Sequence, residues 1–477
     1  MTNIARVLFL GAVMVLAGFE HLAGAEPTLQ LLSEIFPQPN SSFYTATSLA
    51  EGPDGSLYGA TGESSPITSG TVYRVSRDGI LTNFFTFNGT NGEGPLGGVT
   101  FGSDGSLYGV TRYGGSSYRF WQDGFGTVFK LTTNGALTTL FVFGGTNGST
   151  PDAPLIKGKD GAFYGTTRTR GTNGLGTIFK ITEAGILETV HSFRSEDNAY
   201  PQTSALVQGE DGSLFGTSIF GANSLNQDPW SNNGTIFKVD TNGALTVLFR
   251  FNGTNGDHPQ GGLIFGTDGC LYGTADTGGA FDEGTVFKIT TNGMLTTLFS
   301  FDGTNGARPE GPLTLGRDGW FYGTTAFHSL YSEQFGTNSS YGTVFRINTD
   351  GVLKTVASLD GTNGLHPLGG MMLSRDGNVY GVITDRMKKP SLDGNVGAVF
   401  RLVEPPNISV VDYSEHGLTL NWDSFENAVY RVEYRSWMPD APWSTVADNV
   451  LSTSTNSSFL ISPAEAAEGC YRVMLHP

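Results

Sequence analysis

Residues 261–301 read Gly-Gly-Leu-Ile-Phe-Gly, then Thr-Asp-Gly-Cys, then Leu-Tyr-Gly-Thr-Ala and a variable stretch, followed by Gly-Thr-Val-Phe-Lys-Ile-Thr, Thr-Asn-Gly and Met-Leu-Thr-Thr-Leu-Phe-Ser-Phe. Short apolar segments are separated here by Asp-Gly and Asn-Gly. These pairs are strong hairpin signals, because Gly takes positive φ freely and Asp or Asn tolerates it. The stretch therefore predicts four strands, A to D, with A–B and C–D as tight hairpins. In strand D, period-two alternation sends Leu295, Phe299 and Phe301 to one face and Thr296, Leu298 and Ser300 to the other.

The same unit recurs along the chain. The Asp-Gly phrase begins at Asp54, Asp104, Asp160, Asp211, Asp268, Asp318 and Asp376. The Gly-(Thr/Ala)-(Val/Ile)-(Phe/Tyr)-(Lys/Arg) phrase begins at Gly70, Gly126, Gly176, Gly234, Gly284, Gly342 and Gly397. Steps of 50 to 58 residues lie in the range of propeller blades. A sheet that is apolar on both faces needs neighbours on both sides, and radial stacking supplies them. The seventh C strand, from Gly397, has no D strand after it, but Thr28 to Phe36 matches the D pattern. The expectation is an all-β, seven-bladed propeller whose last blade is closed by an N-terminal strand, leaving no open edge.

The phrase Gly-Thr-Val-Phe-Lys-(Leu/Ile)-Thr, the strand Leu-Thr-Thr-Leu-Phe-Ser-Phe and the linker Asn-Gly-Thr-Asn-Gly resemble the GloVer tandem repeat of exported bacterial "choice-of-anchor" proteins. The resemblance covers about residues 28–403. It implies the fold and export, and brings no activity with it. Members often end in a surface-anchoring signal, and none is recognised in this chain.

Both ends of the chain read differently. Arg6, the apolar run Val7 to Phe19 and Ala23-Gly24-Ala25 have the layout of a cleaved secretory signal over residues 1–25. The run is short for a membrane span. After Pro405-Pro406 the repeats stop, and Gly417–Trp422 followed by Val429–Arg435 is similar to the B and C strands of a fibronectin type III sandwich. Six strands are expected over residues 405–477, because the chain ends where a G strand would begin, and the open edge is expected to dock on the propeller. The domain reading is thus a signal peptide at 1–25, a propeller at 26–404 and a fibronectin-like module at 405–477.

Net charge is −17, of which −6 falls in residues 405–477. Such a surface repels phosphate backbones and anionic lipids, so nucleic acid is excluded as a partner, and no membrane span is expected. Export to the periplasm, cell surface or exterior is expected, as a monomer. Cys270 and Cys470 are the two cysteines, read as unpaired thiols.

A residue repeated in every blade is a turn former before it is a catalyst, so the seven hairpin Asp residues are read as structural. Each is expected to pair with the basic residue of its own blade: Arg74, Lys130, Lys180, Lys238, Lys288, Arg346 or Arg401. The chain has no Gly-x-Ser-x-Gly elbow, His-Glu-x-x-His or P-loop, no sialidase box and no WD series. Function is expected where the blades differ, on the face that carries the B–C loops and D–A linkers. The B–C loops run from 8 to 16 residues. The long ones carry Tyr113, Tyr118, Phe120 and Trp121, then Phe220 and Trp230, then Phe327, Tyr331, Phe335 and Tyr341. Of these, Tyr113, Tyr118, Trp121, Trp230, Phe327, Tyr331, Phe335 and Tyr341 are the candidate ligand-binding residues. Exposed rings on such loops form stacking platforms for sugars or anchors for proteins.

The oxygen-rich linkers at 88–92, 144–148, 252–256, 302–306 and 360–364 suggest Ca²⁺, but two successive turns explain them without it. No cofactor and no metal is assigned. His258, His328 and His366 lie on the same face, as do the carboxylates Asp123, Asp228, Asp276, Asp282, Glu283 and Asp385. No catalytic residue is assigned. The function expected is non-catalytic binding of a carbohydrate or an extracellular protein. The alternatives are a polysaccharide hydrolase or lyase at the mouth of the central channel, or a structural envelope protein.

Overall fold

A computed structural model describes residues 4–7, 9–10, 13–14, 27–35, 42–45, 48–64, 69–115, 124–197, 205–220, 233–327, 341–360, 367, 369–383, 397–403, 408–414, 417–423, 429–436, 444–452, 456–461 and 469–475. Two compact units emerge. One is Leu31–Leu373 with Tyr380–Arg401, and the other is Met1–Gln30 with Ser374–Val379 and Leu402–Pro477.

The repeats form seven antiparallel sheets in A-B-C-D order. Blade 5 is representative, with strands Leu263–Phe265, Leu271–Ala275, Thr285–Ile289 and Leu295–Ser300. In blade 1 an extra strand, Ser42–Thr45, pairs with the end of Leu57–Ser64. Blade 7 takes its first three strands, Met372–Leu373, Val379–Ile383 and Gly397–Val403, from the end of the repeats. Its fourth strand is the N-terminal Thr28–Ile35, as the pattern predicts.

Neighbouring blades bury their faces against each other. The Phe that follows strand D slots against the C-strand aromatic of the next blade. Phe87–Phe129, Phe143–Phe179, Phe193–Phe237, Phe251–Phe287 and Phe301–Phe345 all meet edge to face with centroids 5.1–5.5 Å apart. Such pairs contribute about 0.5–1.5 kcal/mol beyond the apolar area they bury. The ring closes between blades 7 and 1, where Ile35, Tyr380, Val382 and Val399 pack with Leu49, Leu57, Tyr73 and Val75. Arg77 adds a 3.0 Å hydrogen bond to the Tyr380 hydroxyl across that junction.

Two glycines of the repeat are fixed by close approach. A Cβ on Gly273 in strand B would lie 2.7 Å from the Phe287 ring, so the Tyr-Gly pair makes room for the C-strand aromatic. Gly284, at the head of strand C, has φ +97° and stands against Pro309 of the following linker.

Strand D departs from strict alternation. The ladder skips a residue between Val286↔Phe299 and Phe287↔Thr297, so Leu298 is the extra residue of a β-bulge. Leu298 and Phe299 therefore both pack onto the blade 5–6 core, whereas period two would separate them. The same skip recurs in blades 1, 2, 3, 4 and 6.

The C-terminal module has one sheet of Ile408–Ser414, Gly417–Asp423 and Asn456–Ile461. A second sheet holds Gly469–Leu475, Val429–Ser436 and Ser444–Leu451. Trp422 and Tyr430 are fully buried and meet edge to face at 5.6 Å. These are the six expected strands. In the full chain Ile4–Val7 pairs with Gly469–Arg472 along the edge of this sheet, a pairing that removal of residues 1–25 would end. Among the described residues no helix is long and apolar enough to cross a membrane. Cys270 carries no disulfide.

Candidate functional site

The tight-hairpin face is a repeated structural network. In all seven blades the hairpin Asp accepts a hydrogen bond from the amide two residues on, as Asp268 does from Cys270 at 3.1 Å. The other carboxylate oxygen takes the basic residue of strand C. Arg74–Asp54, Lys130–Asp104, Lys180–Asp160, Lys238–Asp211, Lys288–Asp268 and Arg346–Asp318 lie 2.5–3.3 Å apart. In four blades a strand-B Tyr donates to the same oxygen.

Burial works against ionisation of Asp104 and Asp268. Hydrogen bonds from Lys130 and Lys288, and from the turn amides and Tyr hydroxyls, outweigh it and hold both carboxyls down at about 2. Asp211 reaches about 2 through its hydrogen bond from Lys238 and the Ser213 amide. Asp318 differs, since burial pushes it up despite its partners. These groups are satisfied and periodic, and they anchor the turns.

The opposite face carries the D–A linkers. Among the described residues the Gly-Thr-Asn-Gly linkers close on themselves. Asn252 Oδ1 accepts from Thr254 N, Thr254 Oγ1 and Asn255 N, and Asp302 does the same in the next linker. The oxygens that suggest calcium are thus committed to turns. Among the described residues no three His, Cys, Asp or Glu side chains are grouped to hold a metal ion. Beyond each turn the linker bridges the residue that starts the B–C loop, as in Glu93↔Tyr113, Ser149↔Thr169, Asp257↔Thr277 and Ala307↔Phe327. The next residue then turns into the left-handed region at Gly94, Thr150, His258 and Arg308, with φ between +52° and +67°. Non-glycine residues hold that conformation only where their surroundings over-determine it. A Pro follows each time.

Two positions of the repeat line up in sequence at this level: the residue after strand B, and the residue after the linker Pro. In blade 2 they are Arg112 and Asp152, an ion pair with Nε–Oδ2 of 3.7 Å. In blades 1 and 4 the aligned residues are Gly62/Leu96 and Ile219/Gln260, while Gln202 and Leu368, aligned with Arg168 and Ala326 in blades 3 and 6, lie outside the described residues. Blade 5 alone among these sets acid against acid, Asp276 with Glu310. Arg308 stands where Thr150 stands in the blade 2 linker.

Asp276 is 6 % exposed. Its Oδ2 accepts from Gln260 Nε2 at 3.3 Å, and its Oδ1 is buried without a partner. Burial raises its pKa, with Arg308 and His258 pulling partly the other way. Glu310 is pushed up to about 7 by burial and then by the Asp276 charge, against the opposing pull of Arg308. His258 has Nδ1 2.8 Å from Asp257 Oδ1, while Nε2 is buried and unpartnered. Its ring lies edge-on to Phe220 at 5.2 Å. The Arg308 amide donates to the Glu283 carbonyl at 3.0 Å, its guanidinium covers Phe327 at 5.8 Å, and Nε is unpartnered. Several buried donors and acceptors without a partner thus belong to the linkers and strand ends on the loop face of blade 5.

Of the candidate residues, Tyr113, Phe327 and Tyr341 are described and all are half-buried. Tyr113 is covered by Arg112, with the guanidinium 5.4 Å from the ring centroid. Tyr118, Phe120, Trp121, Trp230, Tyr331 and Phe335 lie outside the described residues, as do His328, His366, Asp123, Asp228 and Asp385. One exposed ring escapes the sequence reading. Phe281 is 61 % exposed in the B–C loop of blade 5. Asp282 holds that loop with φ +62° and its carboxylate accepts from the Gly278 amide at 3.0 Å. Glu310 and Arg308 are missed too. The signal for them is the alignment of each post-strand-B residue with the residue after the following linker Pro.

A comparison with curated proteins gave no match. Solved structures match this chain at low similarity. A gluconolactonase from Xanthomonas campestris is 12 % identical over 80 % of this chain and 95 % of that one, with a TM-score of 0.38. A protein from Lactobacillus plantarum is 19 % identical over 65 % and 83 %, with a TM-score of 0.42. A PQQ-bound aldose sugar dehydrogenase from Streptomyces coelicolor is 16 % identical over 79 % and 98 %, with a TM-score of 0.36. At these scores the likenesses say nothing about activity. The Gloeobacter/Verrucomicrobia repeat matches residues 44–228 and 203–400. With the repeat running through most of its length, the chain belongs to the Gloeobacter/Verrucomicrobia repeat family.

Proposed function

We propose that this is an exported protein, with residues 1–25 as its leader, that binds a carbohydrate without turnover on the loop face, at the mouth between blades 5 and 6. The observation that carries the reading is the set of buried, unpartnered polar atoms there: Asp276 Oδ1, His258 Nε2 and Arg308 Nε. Leaving such an atom unpaired costs about 1–3 kcal/mol, and a ligand that pairs it recovers that cost. The set mixes acceptors and donors, and a sugar hydroxyl serves as either. The exposed Phe281 ring, on the B–C loop of the same blade, supports the reading as a stacking surface. A glycan array, run with and without chelator, tests it. Wild type binds at least one glycan, and Asp276→Asn loses that signal. Binding that survives Asp276→Asn refutes this location, and an array without signal removes the carbohydrate reading in favour of an extracellular protein ligand or a structural role.

One observation favours the second reading, a polysaccharide hydrolase. A carboxyl held at about 7 beside another acid suits a general acid. Reducing-sugar release from polysaccharides by wild type, absent in Glu310→Gln, is the result that selects it.

A further inference from the structure

Arg170, in the B–C loop of blade 3, stands where neighbouring repeats use glycine. In blades 2, 3 and 5 the residue after this position, Gly115, Gly171 or Gly279, donates its amide to a linker carbonyl, that of Gly89, Gly145 or Gly253, at 2.7–3.2 Å. The position itself is Gly114 at φ +86° in blade 2 and Gly278 at φ +77° in blade 5. In blade 3 it is Arg170 at φ +65°, where a side chain is strained and glycine is not. The backbone is served by glycine here, so the arginine answers to something else. Arg170 is exposed, and its guanidinium lies 4.6 Å from the centroid of the Phe125 ring, across the joint in blade 2. Two further arginines are tied to the same linker. The Thr150 amide donates to the Phe125 carbonyl at 3.0 Å, and the Thr150 carbonyl accepts from the Arg168 amide at 3.1 Å. Two residues on, Asp152 pairs with Arg112 at 3.7 Å. Arg168 and Arg170 make no ion pair among the described residues.

At this joint cations outnumber acids, in a chain of net charge −17. The linker, residues 143–155, and the B–C loops on either side hold Arg112, Arg168 and Arg170 against Asp152 among the described residues, while Arg119 and Asp123 lie outside them. The linker before this one carries the buried Glu93, and the one after it carries Arg194, Glu196 and Asp197, whose carboxylate takes the His191 ring and the Arg194 amide. From this we infer that the joint between blades 2 and 3 binds the carboxylate of a uronic-acid sugar, held by the Arg170 guanidinium with the charges of Arg168 and Arg112 beside it. Stacking on Phe125 orients the guanidinium and leaves the N–H groups in its plane to donate, and paired N–H donors match a planar carboxylate. The excess of acids elsewhere on the chain is screened beyond about 8 Å at physiological salt, so the local balance decides for a single carboxylate. The inference rests on the carbohydrate reading for the class of its ligand, and adds a second contact at another joint of the loop face.

The test is calorimetry on the full chain at pH 7 with tetragalacturonate and tetramannuronate, each beside its methyl ester, which keeps the sugar and removes the charge. The expected result is that at least one acid tetramer binds about tenfold or more tightly than its ester, and that added salt weakens it. Arg170→Gly lowers that affinity about tenfold, leaves the ester unaffected and does not lower the melting temperature, because glycine suits the backbone there. Arg168→Gln, expected to weaken the acid tetramer several-fold, is the second variant, for the case in which the first melts lower or fails to fold. Equal binding of acid and ester overturns the uronate inference while the carbohydrate reading stands. Undiminished binding by both variants does the same, and leaves Arg170 as a cover for Phe125. So does silence of both acids and their esters with a neutral glycan bound on the array. Failure of every glycan overturns both. Binding of an acidic peptide without any glycan also overturns both, and assigns the arginines to a protein ligand.

Discussion

Replacing Glu310 by glutamine should make the protein more stable at neutral and alkaline pH, and the gain should vanish in acid. An ordinary glutamate titrates at 4.5, and in the folded chain Glu310 is held at about 7 by burial and by Asp276. The folded state therefore grips this proton more tightly than the unfolded chain does. Stability linked to it is fully present below pH 4.5 and is lost as pH rises through 7. Each pH unit in that window is worth about 1.4 kcal/mol, which sets an upper figure of ~3 kcal/mol at pH 8. Solvent reaches part of the side chain, and screening brings the expected gain to about 1–3 kcal/mol. Glutamine keeps the shape and cannot ionise, so Glu310→Gln escapes the loss. A propeller of this size has an unfolding entropy near 2.1 cal/mol/K per residue, so the variant should melt roughly 1–4 °C above wild type at pH 8. The two should coincide near pH 4.5. The assay is thermal unfolding followed by circular dichroism in half-unit steps from pH 4.5 to 8.5. Parallel melting curves across the whole range would refute both the burial of this carboxyl and its coupling to Asp276. No ligand is involved, so the outcome is independent of what the site binds.

Gly284→Ala should cost about 2–4 kcal/mol, since alanine at φ +97° is strained and its Cβ would lie 2.5 Å from Pro309 Cδ and 2.7 Å from two carbonyl oxygens. Gly135→Ala, at φ +86° with nothing within 4 Å, should cost only about 1 kcal/mol. Equal urea midpoints for the two would show that the Gly–Pro contact between blades contributes nothing. Asp104, Asp211 and Asp268 sit at about 2, so the stability they add is present above pH 4 and is lost as pH falls towards 2. Lys288→Met should move the acid unfolding midpoint upward, with a loss of about 0.2–1 kcal/mol at pH 7. An unchanged midpoint would mean that this ion pair carries no weight. Phe281→Ala should change stability by less than ~0.5 kcal/mol and weaken glycan binding several-fold. Undiminished binding would remove Phe281 from the contact surface.

Much of the fold was legible because its signals are local. Asp268-Gly269 and Asn292-Gly293 each state a hairpin within four residues, and sevenfold recurrence turns a weak signal into a strong one. Even the closing strand was readable, because Thr28–Ile35 repeats the Leu295–Ser300 pattern. The pairing of hairpin Asp with strand-C Lys or Arg followed from register, and it forms in blades 1 to 6. The bulge at Leu298 was not legible. Leu-Phe-Ser-Phe fits a flat alternation as well as a bulged one, and only the ladder on Val286 and Phe287 decides between them.

The site was half legible, for a related reason. Asp276 and His258 stand out as a lone acid and a lone histidine on a loop face, and read singly both belong to solvent. Their meaning comes from Glu310, 34 residues beyond Asp276 and in the next linker, which no local window joins to it. The long aromatic loops drew the eye because length and aromatic content are visible without register. In a repeat protein, however, each blade is a control for the others. The Arg112–Asp152 pair shows that the same backbone accepts a balanced pair at this level, and blades 1 and 4 carry neutral residues there. Facing acids at Asp276 and Glu310 are therefore no requirement of the fold. They weaken the folded state at neutral pH, with a buried oxygen left unpaired. A pair of acids that the described pairs of blades 1, 2 and 4 avoid is best explained by something that binds there.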